Sequence, residues 1–119
     1  MNEPPVLQRI KLLKRDKKIE ASFLDGNIFL LSCTYLRVFS PSAEVRGHHG
    51  GENILVTGKE DVQINEIEPV GSYAIRLIFD DGHNTGIYTW PFIYDLGINY
   101  QKNWKRYKDR IANIGKEKK

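Results

Sequence analysis

Two Asp-Gly turns constrain this chain more than any other feature. Ile19, Ala21 and Phe23 alternate with Glu20 and Ser22; Asp25-Gly26-Asn27 follows, and then Ile28-Phe29-Leu30-Leu31. Farther on, Tyr73, Ile75, Leu77 and Phe79 fall on one face of an extended run. Asp80-Asp81-Gly82-His83 makes a turn, and Thr85, Ile87 and Thr89 then alternate with Gly86, Tyr88 and Trp90. Alternation at period two buries one face of a strand. Asp-Gly between two such runs closes a hairpin, because glycine reaches positive φ without a side-chain clash. Antiparallel sheet is therefore expected at two places. Leu7, Ile10, Leu12 and Leu13 precede the first hairpin across a charged turn, so strands at 7–13, 18–23 and 27–32 read as a three-stranded meander. Val62, Ile64, Ile67 and Val70 predict a further strand near 61–68, of edge type, with Pro69 closing it.

Helical signals fill the gaps. Ser32 or Thr34 is placed to cap a short helix through 33–38, ended by Pro41. Pro91 suits the start of a second, with Phe92, Ile93 and Leu96 on one face and Gly97 at its end. Tyr100, Trp104, Tyr107, Ile111 and Ile114 recur at spacings of four and three, the stripe of a longer helix that Gly115 is expected to stop. The order predicts an α+β fold. It has antiparallel sheets, a meander plus a hairpin, with a short helix after strand 3 and a C-terminal helix packed on the sheet. Residues 1–6 read as a loose N-terminus, 7–114 as one domain and 115–119 as a basic tail.

Composition narrows the function classes. At 119 residues the chain has the size of one domain. No apolar run is long enough to span a bilayer, and residues 1–20 lack a secretory signal, so a cytoplasmic protein is expected. The one cysteine, Cys33, permits neither an internal disulfide nor a cysteine-cluster metal site, and reads as a small buried apolar residue. The net charge of +3 is unevenly placed: six basic and three acidic residues in 1–20, eight and two in 101–119, four and ten between. Basic ends suit nucleic acid or an acidic partner, but charged termini are more commonly just solvated.

Motifs for catalysis are missing. No Gly-Lys-Ser/Thr follows Gly47, Gly50 or Gly51, so no phosphate-binding loop forms. Ser40 and Ser42 lie near His48 and His49 in sequence without a nucleophile elbow. The Pro/Gly-rich stretch 39–53 is longer than most connections, and such loops are functional or disordered. His83 with His48 or His49, and Glu44, is a conceivable Fe or Zn set, imidazole being the commonest metal ligand.

Two stretches carry a resemblance. They are Tyr35-Leu36-Arg37-Val38-Phe39-Ser40-Pro41-Ser42-Ala43-Glu44-Val45-Arg46-Gly47-His48, and residues 68–90 with their Asp81-Gly82-His83-Asn84-Thr85-Gly86-Ile87-Tyr88-Thr89-Trp90 run. Together they resemble the gamma-butyrobetaine hydroxylase N-terminal-like domain in its small stand-alone bacterial form. In the full-length hydroxylases, the resemblance implies, this domain precedes an iron/2-oxoglutarate catalytic domain. There it holds a structural zinc through Cys-x-Cys-x-x-Cys and a later histidine. Here those three positions fall on Ser40, Ser42 and Val45, and only His83 matches. A hydroxyl is a far weaker zinc ligand than a thiolate, so the zinc site reads as lost and no cofactor is expected. A chain of this length leaves no room for the catalytic domain, so an enzyme is not expected. Similar domains fused to P-loop carriers of iron–sulfur clusters imply a partner role in cluster handling.

The expected binding residues are Arg37, Ser40, Ser42, Glu44, Arg46, His48, His49, His83, Tyr88 and Trp90. Arg37, Arg46 and Arg76 have Glu44, Asp80 and Asp81 as candidate carboxylate partners, and His83 is expected to bond Ser40 or Ser42 where zinc would sit. The expected function is a non-enzymatic binding or adaptor domain linked to iron–sulfur or iron-enzyme systems, with protein partners among iron–sulfur or oxygenase components. A metal-binding protein is the alternative. A nucleic-acid binder is the weakest reading, since it needs Trp104 and Tyr107 exposed for stacking, yet both lie on the core stripe.

Overall fold

A computed structural model describes residues 5–41 and 57–117, with side chains to Asn113. Its elements are β1 (Leu7–Leu13), β2 (Lys18–Phe23), β3 (Ile28–Ser32), α1 (Cys33–Val38), β4 (Ile64–Val70), β5 (Ala74–Phe79), β6 (Ile87–Thr89), α2 (Trp90–Ile98) and α3 (Tyr100–Glu117). They make two three-stranded antiparallel sheets, β1-β2-β3 and β4-β5-β6, with helices, an α+β fold. Gly26 and Gly82 close the two Asp-Gly turns at φ of +95° and +93°, which a side chain would resist.

Period-two patterning explains the first sheet. Ile19, Ala21 and Phe23 of β2 are buried, and Leu31 of β3 joins them. The register Ala21↔Phe29 and Ile19↔Leu31 puts these side chains on one face. Ser32 then caps α1, its hydroxyl accepting from the Tyr35 amide at 3.0 Å. Thr34 does other work: its hydroxyl donates to the Lys59 carbonyl at 2.8 Å, holding the chain that returns at 57–63.

The second sheet departs from its pattern in three ways. β4 starts at Ile64 and runs through Pro69 to Val70, rather than lying at 61–68. Pro69 is tolerated there because β4 is an edge strand, where a missing amide donor need not break a ladder. Tyr73 does not join the buried face of Ile75, Leu77 and Phe79: it precedes β5 in the turn at Gly71 and is exposed. The strand expected at 85–90 shrinks to Ile87–Thr89, paired only with Ala74–Arg76.

The helices close the core. Thr89 caps α2, and Ile93 and Leu96 are buried. Gly97 lies so near β3 that a β-carbon there would come within 2.4 Å of the Phe29 ring. The α3 stripe reaches the core through α1: Tyr100 and Trp104 pack edge-on against Tyr35, and Tyr107 against Phe39. Gly115 does not stop α3, which continues to Glu117. A glycine within a helix costs about 1 kcal/mol relative to alanine, too little to end it.

Candidate functional site

α1 is too short to be held by its own hydrogen bonds, and the turn after β5 holds it instead. Arg37, in its last turn, donates from Nε to Asp81 Oδ2 at 2.8 Å, and Lys59 Nζ lies 2.7 Å from the same oxygen. The second oxygen, Oδ1, accepts from the His83 amide at 3.0 Å. Burial pushes the Asp81 carboxyl up, but the bonds from Lys59, the His83 amide and Arg37 outweigh it and hold the group well below the usual carboxylate range. Arg37 is itself buried, and its Nη1 has no hydrogen-bond partner among the described residues.

Beyond this ion cluster, Ser40 Oγ and His83 Nε2 lie 2.9 Å apart, a hydrogen bond whose direction follows the imidazole tautomer. Ser40 is buried, and the imidazole tilts against Phe79 at 5.9 Å between centroids. The backbone of Gly86 closes the space on the other side: a β-carbon there would sit 2.5 Å from Ser40 Oγ. Two residues on, Tyr88 is fully buried and donates its hydroxyl to the Leu36 carbonyl at 2.7 Å. Burial drives that hydroxyl's pKa upward. The segment 36–40 is thus fastened to the hairpin 81–88 by three side-chain hydrogen bonds, Arg37 to Asp81, Ser40 with His83 and Tyr88 to the Leu36 carbonyl.

Of the residues expected to bind, the structure brings together Arg37, Ser40, His83 and Tyr88. Trp90 is placed elsewhere, donating from Nε1 to the Ser72 carbonyl at 3.0 Å. Arg76 does not join the cluster either: it pairs with Glu68, which stands directly opposite on β4. Ser42, Glu44, Arg46, His48 and His49 lie outside the described residues. Cys33 is buried, and burial pushes its thiol up, away from the reactive thiolate. Lys59 and Gly86 were not singled out as site residues in the sequence. Lys59 stands between two unpatterned polar stretches, while Gly86 at least sits where an alternating strand should carry a side chain.

His83 Nε2 is taken by a serine hydroxyl, and among the described residues no group of three or more His, Cys, Asp or Glu side chains could hold a metal ion. For the aromatic stripe, Tyr107 is buried and stacks on Trp104 at 5.3 Å, an arrangement that withholds one face of each ring from a base. No helix of the described residues is long and apolar enough to cross a membrane. His83→Ala is expected to cost about 1–3 kcal/mol, because it leaves Ser40 without this partner in a buried place. Urea titration of the two proteins measures it.

Comparison with known proteins gives a consistent picture. The family model for the gamma-butyrobetaine hydroxylase-like N-terminal domain matches residues 10–94. A protein solved by NMR in solution is 46% identical, over 97% of this chain and 86% of that one, with a TM-score of 0.82. A second NMR structure is 36% identical over 95% and 89%, with a TM-score of 0.81. A crystal structure from Acidithiobacillus ferrooxidans, described as a protein with unknown function of the DUF971 family, is 38% identical over 76% and 91%, with a TM-score of 0.64. No curated protein matches.

Proposed function

The chain belongs to the gamma-butyrobetaine hydroxylase-like N-terminal family, and on that premise we propose that it is a non-enzymatic binding domain, an adaptor for protein partners, whose zinc site has been replaced by a hydrogen-bonded polar staple. One observation carries the reading. Of the candidate catalytic or metal-ligating side chains among the described residues, Ser40, His83 and Asp81 are spent on fastening α1 to the β5–β6 turn. Gly86 fills the space beside them, where a substrate would need room. An arrangement of this kind fixes a surface and leaves chemistry to another protein.

Membership of the family supports one partner class in this proposal. A domain of a kind that accompanies hydroxylases finds its natural partners among oxygenases and the iron–sulfur components that supply iron enzymes. Affinity purification of the chain from its own cells, with quantitative mass spectrometry, tests this. Enrichment of iron–sulfur or oxygenase components over a control bait is the expected result. Recovery of no such component at bait levels near the native ones counts against it.

A further inference from the structure

β3 is an edge strand, and it is unguarded. Among the described residues it pairs with β2 alone, and bonds from the Phe23 amide to the Asn27 carbonyl and from the Cys33 amide to the Lys17 carbonyl bracket the ladder. By the alternation of an antiparallel pair, Phe29 and Leu31 bond to β2, while the backbone groups of Ile28 and Leu30 point away from it. Edge strands are normally blunted by lysine, proline or a bulge. Here the two outward positions carry Ile28, 60% exposed, and Leu30, 52% exposed. Across from them the α2–α3 junction, with Ile98 55% exposed, forms the far wall of a slot of about 520 Å³.

Charge identifies the occupant. Among the described residues the slot is lined by Lys102 and by no carboxylate. It continues past Tyr100, which lines both, into a second groove of about 470 Å³ where Lys108 stands with a single acid, Glu60, and Lys59 is already paired with Asp81, so that Lys102 and Lys108 are the cations offered to an occupant. Unpaired backbone groups ask for an extended chain, the leucine and isoleucines for apolar side chains, and the lysines for carboxylates. A second copy would bring its own Lys102 and its own slot wall along with its β3. A single extended segment enters with nothing beside it. We infer that this slot receives an extended peptide of a partner protein, apolar and acidic in alternation, added to the meander as a fourth strand. The inference rests on the adaptor reading and says where the partner docks.

The test is an NMR titration of the ¹⁵N-labelled chain with a synthetic heptapeptide of alternating glutamate and valine, against the same peptide with lysine for glutamate. The expected result is amide shifts at Ile28, Leu30 and Lys102, with the acidic peptide binding at least about tenfold tighter at low salt. Leu30→Glu on the strand and Ile98→Glu on the facing wall alter exposed side chains, and each is expected to weaken binding by about tenfold or more. The ¹H–¹⁵N spectrum of each variant reports whether it is folded. No shift at Ile28 and Leu30 at millimolar peptide overturns the inference, as does equal binding of the two peptides. Shifts there on raising protein concentration alone also overturn it, in favour of a second copy. The two readings fail separately. If partners are recovered from cells equally well by Leu30→Glu, the slot is wrong and the adaptor stands; if the acidic peptide binds the slot but no partner is recovered, the reverse holds.

Discussion

Tyr35→Ala is expected to remove about 3–5 kcal/mol of folding stability, the range for deleting a large buried aromatic. Tyr35 is fully buried, and three helices meet on it. Its ring packs on Phe39, Tyr100 and Trp104 at 5.0, 4.6 and 5.6 Å between centroids. Its hydroxyl donates to the Leu96 carbonyl of α2 at 2.7 Å and accepts from the Asn103 amide group of α3 at 3.0 Å. Domains of this size have about 5–15 kcal/mol in all, so the variant falls near the limit of folding. Tyr35→Phe keeps the packing and strands the Leu96 carbonyl, at about 1–3 kcal/mol. Urea denaturation separates the two. Alkaline titration gives a second check. Burial pushes the Tyr35 hydroxyl up to about 12. The folded value is raised, so the stability tied to the neutral phenol is complete below about pH 10, the ordinary tyrosine value. It is lost as pH rises toward the folded value. Tyr35→Phe should lack that part of the alkaline decline and keep the part due to Tyr88.

Asp81→Asn is the second large effect. The carboxylate lies between Arg37 and Lys59 with its side chain 19% exposed. Removing the negative charge leaves a buried guanidinium beside an ammonium, and breaking a buried pair in this way costs about 3–5 kcal/mol. Lys59 can turn toward water and Arg37 cannot, so the lower part of that range is expected. The pH dependence has a definite sign. The folded carboxyl is held below its ordinary value, so its contribution is complete above about pH 4 and fades as pH falls through the lowered folded value. An acid titration should show the wild type losing stability below about pH 4 and Asp81→Asn losing less over the same interval.

Local rules made the first sheet and its helix legible in the sequence. β1 and β2 occupy the expected 7–13 and 18–23, β3 begins one residue late, and α1 fills 33–38 from the Ser32 cap. In each case periodicity, turn and cap point the same way. The second sheet was less legible because its pattern is interrupted. Pro69 reads as a terminator but sits inside β4, since an edge strand can omit a donor. Tyr73 continues the alternation in sequence, yet the Gly71 turn lifts it off the face.

The site divides in the same manner. Residue types offered Asp81 as one of three carboxylates for Arg37, and the family resemblance, by aligning Ser40, Ser42 and His83 with zinc ligands, suggested that His83 could meet Ser40 or Ser42. Lys59 was not visible, because its place follows from the return of the chain to α1, which no periodicity announces. Arg76 took the carboxylate opposite it in the sheet, a consequence of register that the sequence does not disclose before β4 is placed. The exposed edge of β3 was likewise hidden, since Ile28 and Leu30 look like core residues until the strand order leaves them outside.

In the function proposed above, the Ser40–His83 hydrogen bond stands where relatives of the hydroxylase type are expected to hold zinc. Metal content and thermal stability, measured on the same untagged protein with and without chelator, test it most directly. Structural zinc contributes about 10–16 kcal/mol of apparent binding free energy, so a zinc-dependent fold does not survive its removal. Substoichiometric metal and a melting temperature that chelator leaves unchanged are the expected result. One zinc or iron per chain, removed by chelator together with the folded state, would contradict it.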